Sequence, residues 1–118
     1  MSVDPQELRR IGGHFATGVT VVAAEVEDRT CALTVNAFMT VSLEPPLVLV
    51  SIGKASRSLP CLERTERFGI SVLDEEQQEV AAIFATKDDQ KFARLANLRG
   101  STGVPLVEGA TAHLECRV

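Results

Sequence analysis

The apolar positions change their spacing several times along the chain, and each change predicts an element. Leu8, Ile11 and Phe15 recur at helical spacing. Asp4 stands where a cap belongs, Pro5 suits the first helical position, and Glu7 sits at the capping-box position. Gly12-Gly13 and Gly18 predict the end of this helix and the lead into a strand. Residues 18–26 are mostly β-branched or small, which is strand composition. Glu27-Asp28-Arg29 predicts a turn, and a second strand runs from about Thr30 into T-V-N-A-F-M-T-V-S-L-E-P-P at residues 34–46. Read as one strand, that segment puts Thr34, Asn36, Phe38, Thr40 and Ser42 on one face. Val35, Ala37, Met39, Val41 and Leu43 fall on the other. Pro45-Pro46 cannot continue a ladder and predicts a break.

Residues 47–52, L-V-L-V-S-I, are apolar almost throughout and predict a strand buried on both faces. Residues 56–64 predict a short helix with serines at its start, and F-G-I-S-V-L at 68–73 another strand. Asp74 caps a further helix, with Gln77 at the capping-box position and Val80, Ile83 and Phe84 on its inner face. A polar loop at 86–90 leads to Lys91-Phe92, and Gly100-Ser101-Thr102-Gly103 predicts a turn. From Ala110 to Val118, apolar residues alternate with Thr111, His113, Glu115 and Arg117, the clearest strand pattern of all. Strands dominate, and neither the strand–helix alternation of a doubly wound sheet nor a G-x-G-x-x-G is present. A mainly β protein is predicted, an antiparallel barrel with a few short packed helices.

Composition narrows the options. A length of 118 residues fits a single domain spanning 1–118, and 45% apolar residues supply a core. A net charge of −4 argues against a nucleic-acid binder, and the absence of Trp and Tyr leaves little for base stacking. The N-terminus has no apolar signal core, and no stretch approaches the length of a membrane span, so a soluble, cytoplasmic protein with no membrane contact is expected. Cys31, Cys61 and Cys116 are odd in number and form no C-x-x-C. They are expected to be small apolar residues, neither disulfide-bonded nor holding zinc.

No G-x-S-x-G, H-E-x-x-H or Walker loop occurs. His14 and His113 have no metal or triad company, and Glu75-Glu76 and Asp88-Asp89 read as solvated charge. No catalytic side chain and no metal site is therefore assigned. One constellation remains. Residues 51–58, S-I-G-K-A-S-R-S, end a strand and open a helix. Gly53 permits close backbone approach, Ser56 and Ser58 offer hydroxyls, and Lys54 and Arg57 offer charge, Arg57 in a fork that suits phosphate. A helix start would add backbone N–H groups. The bland alternative is a serine cap with solvated cations. Thr34, Asn36, Thr40 and Ser42 on the preceding strand tip the balance, because neutral donors and acceptors suit a flat heteroaromatic ring with imide edges.

F-A-T-G-V-T-V-V at 15–22, T-V-N-A-F at 34–38, S-L-E-P-P-L-V-L-V at 42–50 and S-R-S at 56–58 together resemble the flavin reductase-like family. The similarity runs on through residues 68–73, Lys91-Phe92 and the last strand. It implies a homodimeric FMN-binding split β-barrel of Greek-key type. It also implies binding of FMN or FAD, hydride transfer from NADH or NADPH to flavin N5, and supply of reduced flavin to a partner monooxygenase. By motif position, Thr34, Asn36 and Ala37 would lie along the isoalloxazine and ribityl chain. Ser51, Ser56, Arg57 and Ser58 would hold the ribityl chain and phosphate, and Lys91 and Phe92 would approach the flavin from their loop. Hydride transfer between two cofactors needs no acid–base dyad in the protein. Members of the family continue beyond the position of Val118, into further barrel strands and a segment associated with nicotinamide binding. The sequence is therefore expected to be C-terminally short, or to receive those strands from elsewhere. Two other functions follow if that part is lacking: a flavin-binding protein without efficient turnover, or a non-catalytic dimerising barrel fragment.

Overall fold

A computed structural model describes residues 3–12, 14, 18–86 and 98–118. Its centre is an antiparallel four-stranded sheet in the order β2-β1-β5-β8. β1 (Thr20–Val26) and β2 (Arg29–Val35) form a tight hairpin in which Val26 faces Arg29. Glu27 and Asp28 take positive φ, 52° and 63°, the geometry that lets a two-residue turn follow the strand twist. β1 lies between β2 and β5 (Arg67–Val72), and the first five residues of β1 are all buried. β8 (Ala112–Arg117) pairs with the other side of β5; the predicted strand forms, but Ala112, Leu114 and Val118 of its apolar face stay exposed and His113 is half-buried.

Both faces of this sheet are covered. On one face Val21, Ala23 and Ala32 pack with Val107 and Phe84. Phe84 comes from α3 (Gln78–Phe84), which follows the 3-10 turn Glu75–Gln77. The predicted capping box forms there: Asp74 Oδ1 accepts from the Glu76 amide, and Gln77 Oε1 accepts from the Asp74 amide at 2.8 Å. On the other face Val22, Ala24, Val35 and Ile70 pack beneath α2 (Leu59–Glu63) and the hairpin of β3 (Phe38–Leu43) and β4 (Pro46–Val50).

Several expectations are corrected. Residues 34–46 do not form one strand. β2 ends at Val35, Asn36-Ala37 redirects the chain, and β3 belongs to a separate two-stranded sheet with β4. The register shifts again between Thr40 and Ser42. Thr34, Asn36, Thr40 and Ser42 therefore do not share a face, because each break resets the alternation. β4 is not buried on both faces. Val48 and Val50 turn toward the core with Phe38, whereas Leu47 and Leu49 are each 50% exposed beside Met39 and Val41. α1 (Pro5–Gly12) starts as predicted, with the Gln6 amide on Asp4 Oδ1 at 2.9 Å. Glu7, however, turns to Arg10, and Leu8 and Ile11 stay exposed. Phe15 lies outside the described residues. The fold class itself is as expected, mainly antiparallel β with a few short helices; the strands make three separate sheets, and no closed barrel forms among the described residues.

The cysteine reading also fails. Cys31 on β2 and Cys61 on α2 are joined by a disulfide, with Cα atoms 6.4 Å apart. An odd count and wide spacing said nothing about which face each cysteine occupies. Cys116 is a free, half-buried thiol, and burial pushes its pKa up.

Ser71 and His113 face each other across β5 and β8 and together hold one residue. Ser71 Oγ accepts the Val107 amide at 2.8 Å, and His113 Nε2 lies 2.7 Å from the Val107 carbonyl, so this ring nitrogen carries the proton. A structural bond thus accounts for His113. Gly69 lies close beneath the same segment. A Cβ at this position would stand 2.6 Å from the Pro105 carbonyl oxygen and 2.7 Å from Leu106 Cδ2. Gly69→Ala is expected to cost about 1–3 kcal/mol, read from the urea midpoint. An unchanged midpoint would show that the two layers can move apart freely.

The turn at 100–103 joins β6 (Leu98–Arg99) to β7 (Pro105–Leu106) and is tied to β8 by Glu115. Glu115 Oε1 accepts from the Thr102 hydroxyl at 2.6 Å and from the Thr102 amide at 2.8 Å. These bonds, the hydroxyl first, hold its carboxyl below the usual carboxylate range. A lowered folded pKa means that the tie contributes fully above the ordinary value of 4.5 and is lost as pH falls through the lower folded value. Exchange protection of the Thr102 amide should therefore fall in that acid window, and Glu115→Gln should remove the step. A step that survives in Glu115→Gln would contradict the assignment.

Candidate functional site

Asn36, Ala37, Ser51, Ser56, Arg57 and Ser58 come from three pieces of chain between the end of β2 and the start of α2. The first is the exposed Asn36-Ala37 link between β2 and β3. The second is Ser51 just past β4, whose amide donates to the Ala37 carbonyl at 2.9 Å. The third is the segment 53–58 leading to α2, in which the Ser56 amide closes a turn on the Gly53 carbonyl at 3.0 Å. The Ser58 hydroxyl donates to the Ala32 carbonyl at 3.2 Å, which ties the third piece to β2, the strand that precedes the first.

α2 begins later than expected. Ser58 is its N-cap and Leu59 its first residue, and Pro60 follows in the first turn. Ser56 and Arg57 thus lie in the preceding turn, and with only five residues the helix offers little dipole. What this segment offers an anion is therefore its side chains. Arg57 and Lys54 are exposed, and among the described residues neither takes part in an ion pair. Nothing lies within 4 Å of where a Gly53 Cβ would be, so a ligand can come close to the backbone there. The Ser56 oxygen accepts the Ser58 amide at 3.3 Å, which leaves its own proton for a ligand. One guanidinium, one ammonium and free hydroxyls around an open turn are the donor set a phosphate monoester requires.

Two predicted residues spend their protons inside the protein. The Thr34 hydroxyl donates to the Ala81 carbonyl of α3 at 2.6 Å, and Ser58 donates to Ala32. Toward a ligand these two oxygens present lone pairs only. Thr40 and Ser42 sit on β3 in the outer hairpin, away from Thr34. Lys91 and Phe92 lie outside the described residues. Ala81 also borders a cleft of about 340 Å³ lined by Val19, Leu73, Asp74 and Gln77, and none of the predicted site residues lines it. No cluster of potential metal ligands occurs among the described residues, and no helix there is long and apolar enough to cross a membrane. The Ala32 carbonyl, which anchors the segment 53–58, carried no signal in the sequence because a backbone acceptor has none.

These features define a mainly antiparallel β domain that presents an open, cationic turn beside a short amide-bearing link. The chain belongs to the flavin reductase-like family: it matches the Flavin reductase like domain over residues 12–118. It is 38% identical over 116 residues to the reductase subunit HsaB of a flavin-dependent monooxygenase from Mycobacterium tuberculosis, covering 98% of this chain and 62% of HsaB. It is 42% identical over 120 residues to an NADH-dependent flavin reductase from a Rhodococcus species, covering 98% of this chain and 66% of that protein. The chain therefore spans somewhat under two thirds of these relatives' length. Among solved structures, the NADH:FAD oxidoreductase SgcE6 of Streptomyces globisporus, bound to NAD and FAD fragments, superimposes with a TM-score of 0.90 at 39% identity. That match covers all of this chain and 73% of SgcE6. BorF, the flavin reductase component of a bacterial two-component tryptophan halogenase, gives 0.88 at 40% identity, covering 98% of this chain and 74% of BorF.

Proposed function

We propose that this chain binds FMN or FAD and acts in NADH- or NADPH-dependent flavin reduction, the reduced flavin passing to a partner monooxygenase. The observation that carries the reading is the bond from the Ser51 amide to the Ala37 carbonyl, followed within a few residues by the open cationic turn at 53–58, in a chain of this family. When bound, the flavin supplies the two-electron acceptor for a nicotinamide hydride. The chain's own residues bind and orient. Arg57 and Ser56 grip the phosphate, with Lys54 adding charge at the rim. Ser51 meets the ribityl hydroxyls. Asn36 and the backbone at Ala37 face the polar edge of the ring, and Thr34 supplies a lone pair there. By motif position alone, Lys91 and Phe92 are proposed as further flavin contacts.

The relatives support the two-component role: HsaB is a reductase subunit, and BorF serves a halogenase. A second copy of the chain is the proposed cover for Met39, Val41, Leu47 and Leu49, which form an apolar face on the outer hairpin, each at least half exposed. The chain is proposed to work as one domain in the cytoplasm, where NADH and partner oxygenases are at hand. The test is anaerobic reduction of the flavin-loaded protein by NADH, with bleaching as the expected result.

A further inference from the structure

The Cys31–Cys61 bond lies beside the segment that is read as the phosphate grip. Cys61 is the third residue of α2, which begins directly after that segment, and Cys31 is on β2. The hydroxyl of Ser58, the N-cap of α2, donates to Ala32, the neighbour of Cys31. One covalent link and one hydrogen bond therefore fix the same short segment to the same stretch of strand. Below this lies the packing of Leu62 on the sheet. A five-residue helix has no stability of its own, so these tethers decide where residues 53–58 sit.

We propose that Cys31 and Cys61 form a thiol–disulfide switch that sets how firmly the chain grips a flavin phosphate. The inference rests on the reading of residues 53–58 as the phosphate segment and of the chain as cytoplasmic. In a reducing compartment, a disulfide between two residues of one small domain is usually transient and redox-sensing rather than a structural staple. Cys61 is half-buried, while Cys31 is only 8% exposed, so an oxidant meets Cys61 first. With hydrogen peroxide as oxidant, the Cys61 thiolate attacks one peroxide oxygen and becomes a sulfenic acid, releasing water once a proton is taken up. The Cys31 thiol then attacks the sulfenic sulfur, forming the S–S bond and releasing a second water. Two electrons have passed from the two sulfurs to the peroxide. A dithiol reductant returns two electrons and two protons by exchange through a mixed disulfide. Oxidised, the segment is held ready for phosphate. Reduced, it keeps the Ser58 hydrogen bond and the packing of Leu62 but loses the covalent tether, and binding must order it.

The full-length chain is treated either with hydrogen peroxide or with a phosphine reductant, then alkylated and weighed. The sequence holds three cysteines. One label after peroxide and three after reduction are expected. FMN and riboflavin are then titrated by fluorescence quenching. FMN should bind the oxidised form more tightly, on the order of 3- to 10-fold, and riboflavin should bind both forms alike. Cys61→Ser should abolish the difference, and Cys116→Ser should keep it. Three labels in both states, with flavin still bound, overturns the switch and leaves the functional reading standing. One label after peroxide with equal FMN affinity in the two forms overturns the coupling. Absence of flavin binding in either form overturns the phosphate-segment reading and the coupling with it.

Discussion

Arg57→Ala is expected to weaken FMN binding by roughly 10- to 100-fold while leaving riboflavin nearly unchanged, because a charge-assisted hydrogen bond is worth about 1.5–3 kcal/mol. Arg57 is exposed and takes part in no ion pair among the described residues, so its removal strands no buried partner. The loss should therefore appear in ligand binding and not in stability. Ser56→Ala should act in the same direction but more weakly, about 3- to 10-fold, since its hydroxyl is neutral. Riboflavin carries the ring and the ribityl chain without the phosphate, which makes it the internal control. Equal losses for FMN and riboflavin would remove Arg57 from the phosphate and move it elsewhere on the surface.

Phe84→Ala should give the largest change in the fold, about 3–5 kcal/mol. The ring is 1% exposed and fills the face of the sheet lined by Val21, Ala23, Ala32 and Val107. Truncation leaves a void beneath α3, and α3 is also the partner of Thr34 through the Ala81 carbonyl. The variant is expected to unfold at a much lower urea concentration and to bind flavin less well in proportion to its unfolded fraction. A midpoint close to that of the parent protein would mean that α3 is not part of the cooperative core. Ile83→Ala offers a comparison, because Ile83 is only half-buried and should cost less.

The elements that the sequence made legible are those whose signals are local. The Asp74/Gln77 box, the turn at Glu27-Asp28 and the existence of β8 each depend on residues a few positions apart, and each is found, although Arg29 already belongs to β2 and the apolar face of β8 stays largely exposed. What was misread depends on the neighbouring layer. The hydrophobic run at 47–52 looked like a strand buried on both sides, yet an apolar side chain carries no mark of whether another layer covers it. Leu47 and Leu49 show this. The segment 34–46 was misread for a different reason. Nothing in T-V-N-A-F announces that the chain changes sheets at Asn36-Ala37, because neither Gly nor Pro marks the bend. That bend nevertheless brings Ala37 to Ser51.

The candidate site is legible in the sequence as a set of residue types and not as a geometry. S-R-S after a strand points to phosphate, but α2 starts three residues later than the pattern predicts, at Leu59. In the structure Ser58 is a tether to Ala32. Thr34 shows the same pattern, its proton already given to Ala81. A hydroxyl looks equally available in any sequence, and only the fold decides which acceptor lies nearest. The disulfide was invisible for a related reason: Cys31 and Cys61 are separated by 30 positions, and only the docking of α2 on β2 joins them.

The most direct measurement is an anaerobic titration of the purified, FMN-loaded chain with NADH, followed through the flavin absorbance bands. Stoichiometric bleaching, with recovery of the oxidised spectrum on admitting air, is the predicted result. Bound flavin that NADH leaves unchanged, or a chain that takes up no flavin at all, would contradict flavin reduction as the function of this chain.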